Sequence, residues 1–202
     1  ARQAQRAGQI IQRIRSFVKR SEPKRSWSRI GDMVDEAVEL AEIELRRRNV
    51  RLTCQVASRL PMLMVDPILI EQVLINLLKN GAESVDTAQR QTAHRKVELT
   101  VAPAELDGRQ MVEFSVLDSG SGLPPEVLNR LYEAFYSTKS YGMGIGLSLC
   151  RSIVESHQGR IRAENIYNGA DVTGCRFSFW LPVGEPASVA PDTRRKPIKT
   201  PG

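Results

Sequence analysis

Residues 116–122, Val116-Leu117-Asp118-Ser119-Gly120-Ser121-Gly122, run from an apolar segment directly into a carboxylate and two glycines. Apolar residues alternate with polar ones up to this point, at Val112, Phe114 and Val116, which predicts a half-buried strand. A carboxylate at the end of such a strand offers a hydrogen-bond acceptor at a pocket mouth, and glycines let the backbone approach a ligand closely. The acceptor suits an exocyclic amine such as that of adenine, although a plain turn explains the same pattern.

The segments on either side of this stretch alternate between strand and helix patterns. Val97, Leu99 and Val101 alternate with polar residues, and Asp107-Gly108 marks a hairpin turn to the strand at Val116. Consecutive strands in hairpins with helices between them predict an α+β two-layer sandwich, in which helices cover one face of a mixed β-sheet. Further strands are predicted at 50–57, 160–166 and 175–183, and helices at 28–48, after Asp66-Pro67, at 124–134 and at 145–157.

Two asparagines lie one turn apart on the helix that follows Asp66-Pro67. Asn76 and Asn80 share one face of an otherwise apolar stretch. Asparagine is unfavourable inside helices because its amide competes for backbone hydrogen bonds, so an exposed or capping position is one explanation. The other is binding, because amide oxygens at this spacing can meet a hydrated Mg²⁺ and amide N–H groups can meet phosphate oxygens.

A glycine-rich segment precedes the last predicted helix. Gly142, Gly144 and Gly146 alternate with other residues up to Leu147, which exposes backbone N–H groups at a helix N-terminus, where phosphate binds readily. The spacing differs from the G-x-G-x-x-G of dinucleotide-binding folds, and the segment does not follow the first strand of a βαβ unit. Two residues just upstream suit a segment that folds over a triphosphate, Thr138 and Lys139.

In this order and spacing, the four elements resemble the catalytic, ATP-binding domain of sensor histidine kinases. That family belongs to the ATPase superfamily of gyrase, mismatch-repair ATPases and heat-shock chaperones, and the resemblance covers about residues 27–184. It implies ATP and Mg²⁺ as ligands, with Asp118 binding adenine and Gly120 and Gly122 lining its pocket. It also implies that Asn80 helps to hold Mg²⁺ and that Asn76 lies near the phosphates. The other residues implied to contact ATP are Thr138 and Lys139 in a lid, and Gly142, Gly144, Gly146 and Leu147 in the phosphate loop.

The resemblance favours a kinase over an ATP hydrolase. In the hydrolysing members a glutamate one turn before the Mg²⁺ asparagine activates water, and here that position is Asn76, whose amide is no general base. Glu71 lies five residues before Asn76 and is expected to face elsewhere. Phosphoryl transfer to histidine needs little base catalysis, because neutral imidazole is nucleophilic at pH 7. Gly174-Cys175 matches the family's third glycine element, where threonine is more usual than cysteine.

The positive charge lies at the two ends of the chain. The net charge is +6, with +7 in residues 1–25, +2 in residues 185–202 and therefore −3 in residues 26–184. Residues 1–20 have an apolar stripe that predicts a helix in need of a partner, and they resemble the second helix of the family's dimerisation and phosphotransfer bundle. The expected domains are the end of that bundle at 1–22, the catalytic domain at 23–184 and a disordered tail at 185–202.

A histidine kinase needs a phosphoacceptor histidine, and the chain has two histidines, His94 and His157. His94 lies in a polar loop without an acidic neighbour, and His157 ends a predicted helix, so neither is expected to be phosphorylated. We expect the chain to be a fragment of a longer sensor kinase whose preceding helix carries the acceptor. The resemblance implies a homodimer through the bundle and a response regulator receiver domain as partner.

The composition of the chain excludes several other classes of protein. A hydrophobic fraction of 41% excludes a disordered chain, and no apolar run approaches the roughly 18 residues of a membrane span. The three cysteines are far apart and suggest neither disulfides nor zinc, so we expect a cytoplasmic domain. The alternatives are an anti-sigma-type serine kinase, an ATP-driven clamp, and a scaffold or nucleic-acid module that uses the basic helix. The bundle-like helix and Asn76 count against the first two, and Phe17 on the apolar face gives little support to nucleic-acid stacking.

Overall fold

The computed structural model of the protein describes residues 23–89, 91, 94–131 and 146–184. Two predicted segments, the bundle helix at 1–22 and the tail at 185–202, lie outside these residues. Most of the glycine-rich segment before Gly146 also lies outside them.

The described residues form seven strands and four helices. The strands are β1 (Ser26–Ser28), β2 (Arg51–Val56), β3 (Leu63–Val65), β4 (Lys96–Leu106), β5 (Arg109–Asp118), β6 (Arg160–Asn168) and β7 (Asp171–Pro182). The helices are α1 (Ile30–Arg47), α2 (Pro67–Thr87), α3 (Pro125–Arg130) and α4 (Gly146–Ser156).

Five of the strands form one mixed sheet in the order β2-β4-β5-β7-β6. The β2–β4 pair is parallel, and the pairs β4–β5, β5–β7 and β6–β7 are antiparallel. The other two strands, β1 and β3, form a separate antiparallel pair. The α+β sandwich with a mixed sheet that the sequence predicted is thus confirmed.

The core lies between one face of this sheet and the helices. Val97, Leu99 and Val101 of β4 are fully buried while the residues between them are more exposed, because successive strand side chains point to opposite faces. Phe114 of β5 and Phe179 of β7 stack at the centre, with ring centroids 4.6 Å apart. The apolar stripes of α1, α2 and α4 cover this face, and α2 packs against both of the other helices.

The predicted elements recur with shifted ends. The turn at Asp107-Gly108 has φ angles of 52° and 74°, both positive, as a two-residue type I′ hairpin requires. The hairpin strands β4 and β5 are longer than the apolar alternation predicts, because backbone pairing continues beyond the buried positions. Sequence analysis missed β1 and β3, whose three residues each are too few to show a period.

Helix α2 begins as its sequence predicts. Asp66 caps it, because its Oδ1 atom accepts a hydrogen bond from the backbone N–H of Leu69 at 3.3 Å, and Pro67 occupies the first turn. Within the part of the chain that the structure describes, no helix is both long enough and apolar enough to cross a membrane.

Candidate functional site

Asp118 ends β5 almost completely inside the protein, with 3% of its surface exposed. Its Oδ1 atom accepts a hydrogen bond from the backbone N–H of Gly120 at 2.8 Å and another from the Ser84 hydroxyl at 3.1 Å. A buried carboxylate needs such donors, since burial without them is costly. The carboxylate predicted from the sequence is therefore fixed by one contact in its own turn and one from α2.

Three glycines lie where other parts of the chain pack closely around Asp118. A Cβ atom at Gly120 would lie 2.0 Å from the Ser84 Oγ atom, and one at Gly174 would lie 1.9 Å from the Asp118 carbonyl oxygen. A Cβ atom at Gly81 would lie 3.4 Å from that of Asp118. The first two distances are shorter than any packed interior allows, so glycine is required for the strand end, the turn and α2 to meet.

Gly122 lies where the same turn passes the edge of the sheet. Its φ angle is +73°, and a Cβ atom there would lie 2.3 Å from the Val172 Cγ1 atom. The next residue, Leu123, is held by Asn165 of β6, whose side chain accepts from the Leu123 N–H at 2.8 Å and donates to its carbonyl at 2.7 Å. The turn between β5 and α3 is thus held against β6 and β7. This turn contains Gly120 and Gly122, which the sequence predicted to line the adenine pocket.

Helix α2 carries polar residues on three successive turns, Asn76, Asn80 and Ser84, and all three are half-buried. Positions four apart lie on one face, so these residues form a stripe about 12 Å long at 1.5 Å per residue. Ser84 at one end donates to Asp118, and Asn76 at the other is close enough to Cys150 of α4 for its side chain to act against the rise in the pKa of that thiol. We call these three residues the α2 stripe.

Helix α4 begins at Gly146, and Leu147 and the two residues after it are half-buried before the fully buried Cys150. Burial raises the pKa of Cys150 to about 12, so its thiol stays protonated beside Asn76 at neutral pH. The α2 stripe therefore joins the Asp118 turn to the helix that follows the glycine-rich segment. The other predicted ATP contacts lie outside the described residues: Thr138, Lys139, Gly142 and Gly144.

Cys175 lies beside Asp118 on the neighbouring strand, where the two residues are register partners. It is buried, and burial together with the charge of Asp118 raises the pKa of its thiol to about 12. The thiol is therefore neutral, and it supplies a weaker hydrogen-bond donor than the threonine hydroxyl expected at this position.

Sequence analysis missed Ser84, because a serine on a helix usually has no more than a local role. The available signal was its spacing: Ser84 follows Asn80 by the same four residues that separate Asn80 from Asn76. A polar position repeated three times on an otherwise apolar helix indicates a face that meets polar groups rather than the core.

His157 is 4% exposed at the end of α4, and both of its ring nitrogens are engaged. Nε2 accepts a hydrogen bond from the backbone N–H of Asp66 at 3.0 Å, so Nδ1 carries the proton and donates to the Ile153 carbonyl at 2.8 Å. Burial lowers the pKa of His157, with a further contribution from Arg25. The ring is therefore neutral and inaccessible, which agrees with the expectation that it is not a phosphoacceptor.

Glu71 does not belong to the α2 stripe. Burial raises its pKa, and the negative charges of Glu36 on α1 and of Asp66 raise it further. Five residues along a helix turn the side chain through about 140°, so Glu71 and Asn76 lie on different sides of α2. His94, the second histidine, is exposed, and its carbonyl accepts a hydrogen bond from the Ser119 hydroxyl.

The family model described as histidine kinase-, DNA gyrase B-, and HSP90-like ATPase matches residues 65–185. The sensor protein FixL of Bradyrhizobium diazoefficiens is 38% identical over 185 residues, which make up 92% of this chain and 34% of FixL. The chain thus spans about a third of the length of that curated relative.

Solved structures show the same fold. The nucleotide-free catalytic domain of the histidine kinase ThkA superposes with a TM-score of 0.63 at 26% identity, covering 79% of this chain and 96% of that domain. ThkA in a crystal with the response regulator protein TrrA gives a TM-score of 0.65 at 23% identity, over 91% of this chain and 49% of that one.

Proposed function

The chain belongs to the histidine kinase-, DNA gyrase B- and HSP90-like ATPase family and is the catalytic, ATP-binding domain of a two-component sensor histidine kinase; from this premise we propose that ATP and Mg²⁺ bind along the α2 stripe. Adenine meets Asp118, and the phosphates extend toward the beginning of α4. The observation that carries this proposal is the buried, doubly hydrogen-bonded Asp118 at one end of a polar helix face whose other end contacts α4.

Asp118 provides the chemistry that adenine needs. An ionised carboxylate accepts hydrogen bonds and donates none, so it matches the exocyclic amino group, which is a donor. The hydrogen bond is charge-assisted and lies in a buried place, which makes it stronger than a neutral one at the surface. Gly120, Gly122 and Gly174 support this arrangement by letting the turn and β7 close around Asp118.

The two asparagines fit the phosphate end of the nucleotide. Mg²⁺ takes oxygen ligands and usually keeps waters and substrate phosphates in its shell, so a single amide oxygen from Asn80 suits it. Bound Mg²⁺ supplies charge neutralisation at the β- and γ-phosphates. Asn76, near Cys150 of α4, presents its amide beside them, and the backbone N–H groups at the beginning of α4 favour phosphate oxygens.

The domain transfers the γ-phosphoryl group to histidine rather than to water. A neutral imidazole nitrogen attacks the γ-phosphorus, the bond from that phosphorus to the bridging oxygen breaks, ADP leaves, and the ring loses its other N–H proton. Asn76 has no basic group that could activate water, and Glu71 lies five residues earlier, on a different side of α2. The site thus supports attack by a nucleophile that needs no deprotonation first.

The phosphoacceptor lies on a bundle helix of the full-length protein, which forms a homodimer in the cytoplasm. A response regulator receiver domain then takes the phosphoryl group on an aspartate. The buried ring of His157 supports an acceptor elsewhere, and the crystal of ThkA with TrrA shows that a protein of this fold meets a response regulator.

Calorimetry with ADP and a non-hydrolysable ATP analogue tests nucleotide binding directly. We expect binding that is tighter with Mg²⁺ than without it, and loss of this difference in Asn80→Ala. The matched control is Asn168→Ala, at an exposed position at the end of β6, which should behave as the wild type. The absence of any binding with Mg²⁺ present would contradict the proposal.

Labelling with ATP tests the direction of transfer. The chain alone should acquire no label from γ-labelled ATP, whereas a bundle that carries the acceptor histidine, added to it, should acquire an acid-labile, base-stable one. A label of that kind on the chain alone would show that His94 or His157 is an acceptor. An acid-stable, base-labile label on a partner protein would instead support the serine kinase alternative.

A further inference from the structure

Ser84 makes a side-chain contact that the proposed nucleotide site does not by itself require. Its hydroxyl lies 3.1 Å from the Oδ1 atom of Asp118 and belongs to a different element, α2 rather than β5. A helical serine ordinarily donates to the carbonyl four residues earlier, which costs no tertiary structure. Here the hydroxyl donates across to the carboxylate, because an ionised carboxylate can only accept.

Oδ1 of Asp118 receives two donors from different directions. The Gly120 N–H, at 2.8 Å, comes from the turn, and the Ser84 hydroxyl comes from the helix. A carboxylate is planar, and two donors on one oxygen fix its rotation about the bond to Cβ. The direction of the second oxygen is thereby fixed as well.

The contact is also tightly packed. A Cβ atom at Gly120 would lie 2.0 Å from the Ser84 Oγ atom and 2.7 Å from Asp118 Oδ1, so the turn lies directly on the hydroxyl. At Gly81, one turn before Ser84, α2 lies in van der Waals contact with the Asp118 side chain, since a Cβ atom there would lie 3.4 Å from that of Asp118. The Ser84 hydroxyl is therefore confined between the helix and the turn.

We propose that Ser84 is a positioning residue that orients the Asp118 carboxylate and so sets the preference of the site for 6-amino over 6-oxo and 6-unsubstituted purine nucleotides. This inference rests on the proposed nucleotide site. A site built to hydrogen-bond a substrate group discriminates strongly against an analogue that lacks it, provided that the protein group is held in one direction. Without Ser84, Oδ1 loses the donor that comes from α2, and the carboxylate gains freedom to rotate.

The test compares three diphosphates in the presence of Mg²⁺: ADP, inosine diphosphate and purine riboside diphosphate, whose base has hydrogen at position 6. Wild-type protein should prefer ADP to both analogues. Ser84→Ala should bind ADP about 10-fold more weakly, because the carboxylate must then be ordered when adenine binds, and it should bind purine riboside diphosphate within about 2-fold of the wild type.

Ser152→Ala is the matched control, because Ser152 is an exposed serine on another helix, α4, and its removal should change neither affinity. Thermal unfolding of each variant reports whether the fold persists. Equal weakening of ADP and purine riboside diphosphate by Ser84→Ala would overturn the inference in favour of a merely structural role. Unchanged ADP affinity would overturn it too.

The two proposals fail differently. If wild-type protein binds none of the three nucleotides, the nucleotide site itself is wrong. If wild-type protein prefers ADP and Ser84→Ala keeps the full preference, the site stands and the role of Ser84 is wrong.

Discussion

Two carboxylates, the buried Asp118 and the half-buried Asp66, receive similar hydrogen bonds in different surroundings. Asp118 follows a strand and accepts from the Gly120 N–H and from Ser84. Asp66 precedes a helix; its Oδ1 atom accepts from the Leu69 N–H, and its Oδ2 atom accepts from the Lys24 N–H at 2.8 Å. Both are acids at the end of an element that accept backbone N–H groups, so hydrogen-bond count does not separate them.

The two differ in what surrounds them. At Asp66 the carboxylate accepts from the backbone N–H of Lys24, while the backbone N–H of Asp66 donates to His157 at the end of α4. The Arg25 side chain also donates to the Ser156 carbonyl, so the segment before β1, the start of α2 and the end of α4 are joined. At Asp118 the neighbouring backbone approaches so closely that glycines are required, and the polar α2 stripe begins there. The partners of Asp66 come from three parts of the chain, which favours a structural role, whereas the glycines and the polar stripe beside Asp118 favour the proposed role in binding a ligand.

The strongest test of this difference is Gly174→Ala. The added Cβ atom would lie 1.9 Å from the Asp118 carbonyl oxygen, which is backbone and cannot rotate away, so we expect a loss of about 3 kcal/mol or more in the free energy of unfolding. Gly31→Ala is the control, because a Cβ atom there meets no described heavy atom within 4 Å and alanine favours the helix. Urea denaturation of both variants measures the effect, and equal stabilities would show that the crowding around Asp118 is absent.

The second test replaces each of the two carboxylates in a separate variant. Asp118→Asn replaces one acceptor oxygen by a donor, so ADP affinity should fall about 100-fold while the free energy of unfolding changes little. Asp66→Ala removes a helix cap and should cost about 1–2 kcal/mol of unfolding free energy, with ADP affinity unchanged in the folded protein. Calorimetry and denaturation of each variant give both quantities. Loss of ADP affinity in Asp66→Ala alone would reverse the assignment of the two clusters.

Several features of the two sites could be predicted from the sequence, because short local patterns define them. Asp66-Pro67 has the cap and first-turn residues typical of a helix start, and Asp107-Gly108 is typical of a two-residue hairpin turn. Asp118 was predicted as a site residue since a strand, an acid and two glycines follow one another within a few positions. Of the four strand pairs in the main sheet, β4–β5 and β6–β7 join consecutive strands, whereas β2–β4 and β5–β7 join strands that are not consecutive and have no local signal.

The contacts between distant segments could not be predicted from the sequence. Ser84 and Asp118 are 34 residues apart, and nothing in either segment indicates the hydrogen bond between them. The same holds for His157 and Asp66, 91 residues apart, and for the pairing of β1 with β3. Periodicity shows which face of an element is buried, but which polar atoms meet there depends on how the elements pack in three dimensions.

The smallest expected effect is a loss of stability at low pH, and it comes from His157, which accepts a hydrogen bond from the backbone N–H of Asp66. Burial lowers the pKa of its ring, Arg25 lowers it further, and the Ile153 carbonyl and the charge of Asp66 act in the opposite direction. The folded protein therefore binds a proton at His157 less readily than the unfolded chain, whose histidines titrate near pH 6.5. Above that pH both states are neutral at this ring, and as the pH falls through the lowered pKa the folded state loses stability.

Urea denaturation at pH 7.5 and pH 5.0 measures this loss. Wild-type protein should lose on the order of 1 kcal/mol more between these pH values than His157→Gln, whose amide oxygen can still accept from the Asp66 N–H but does not titrate. His94→Gln, at an exposed position, should show the wild-type loss. If His157→Gln loses as much unfolding free energy as the wild type, the folded protein does not hold the His157 ring neutral. ADP affinity at pH 7.5 should be the same in all three proteins, because His157 fastens α4 to Asp66 at the end of the helix remote from Gly146.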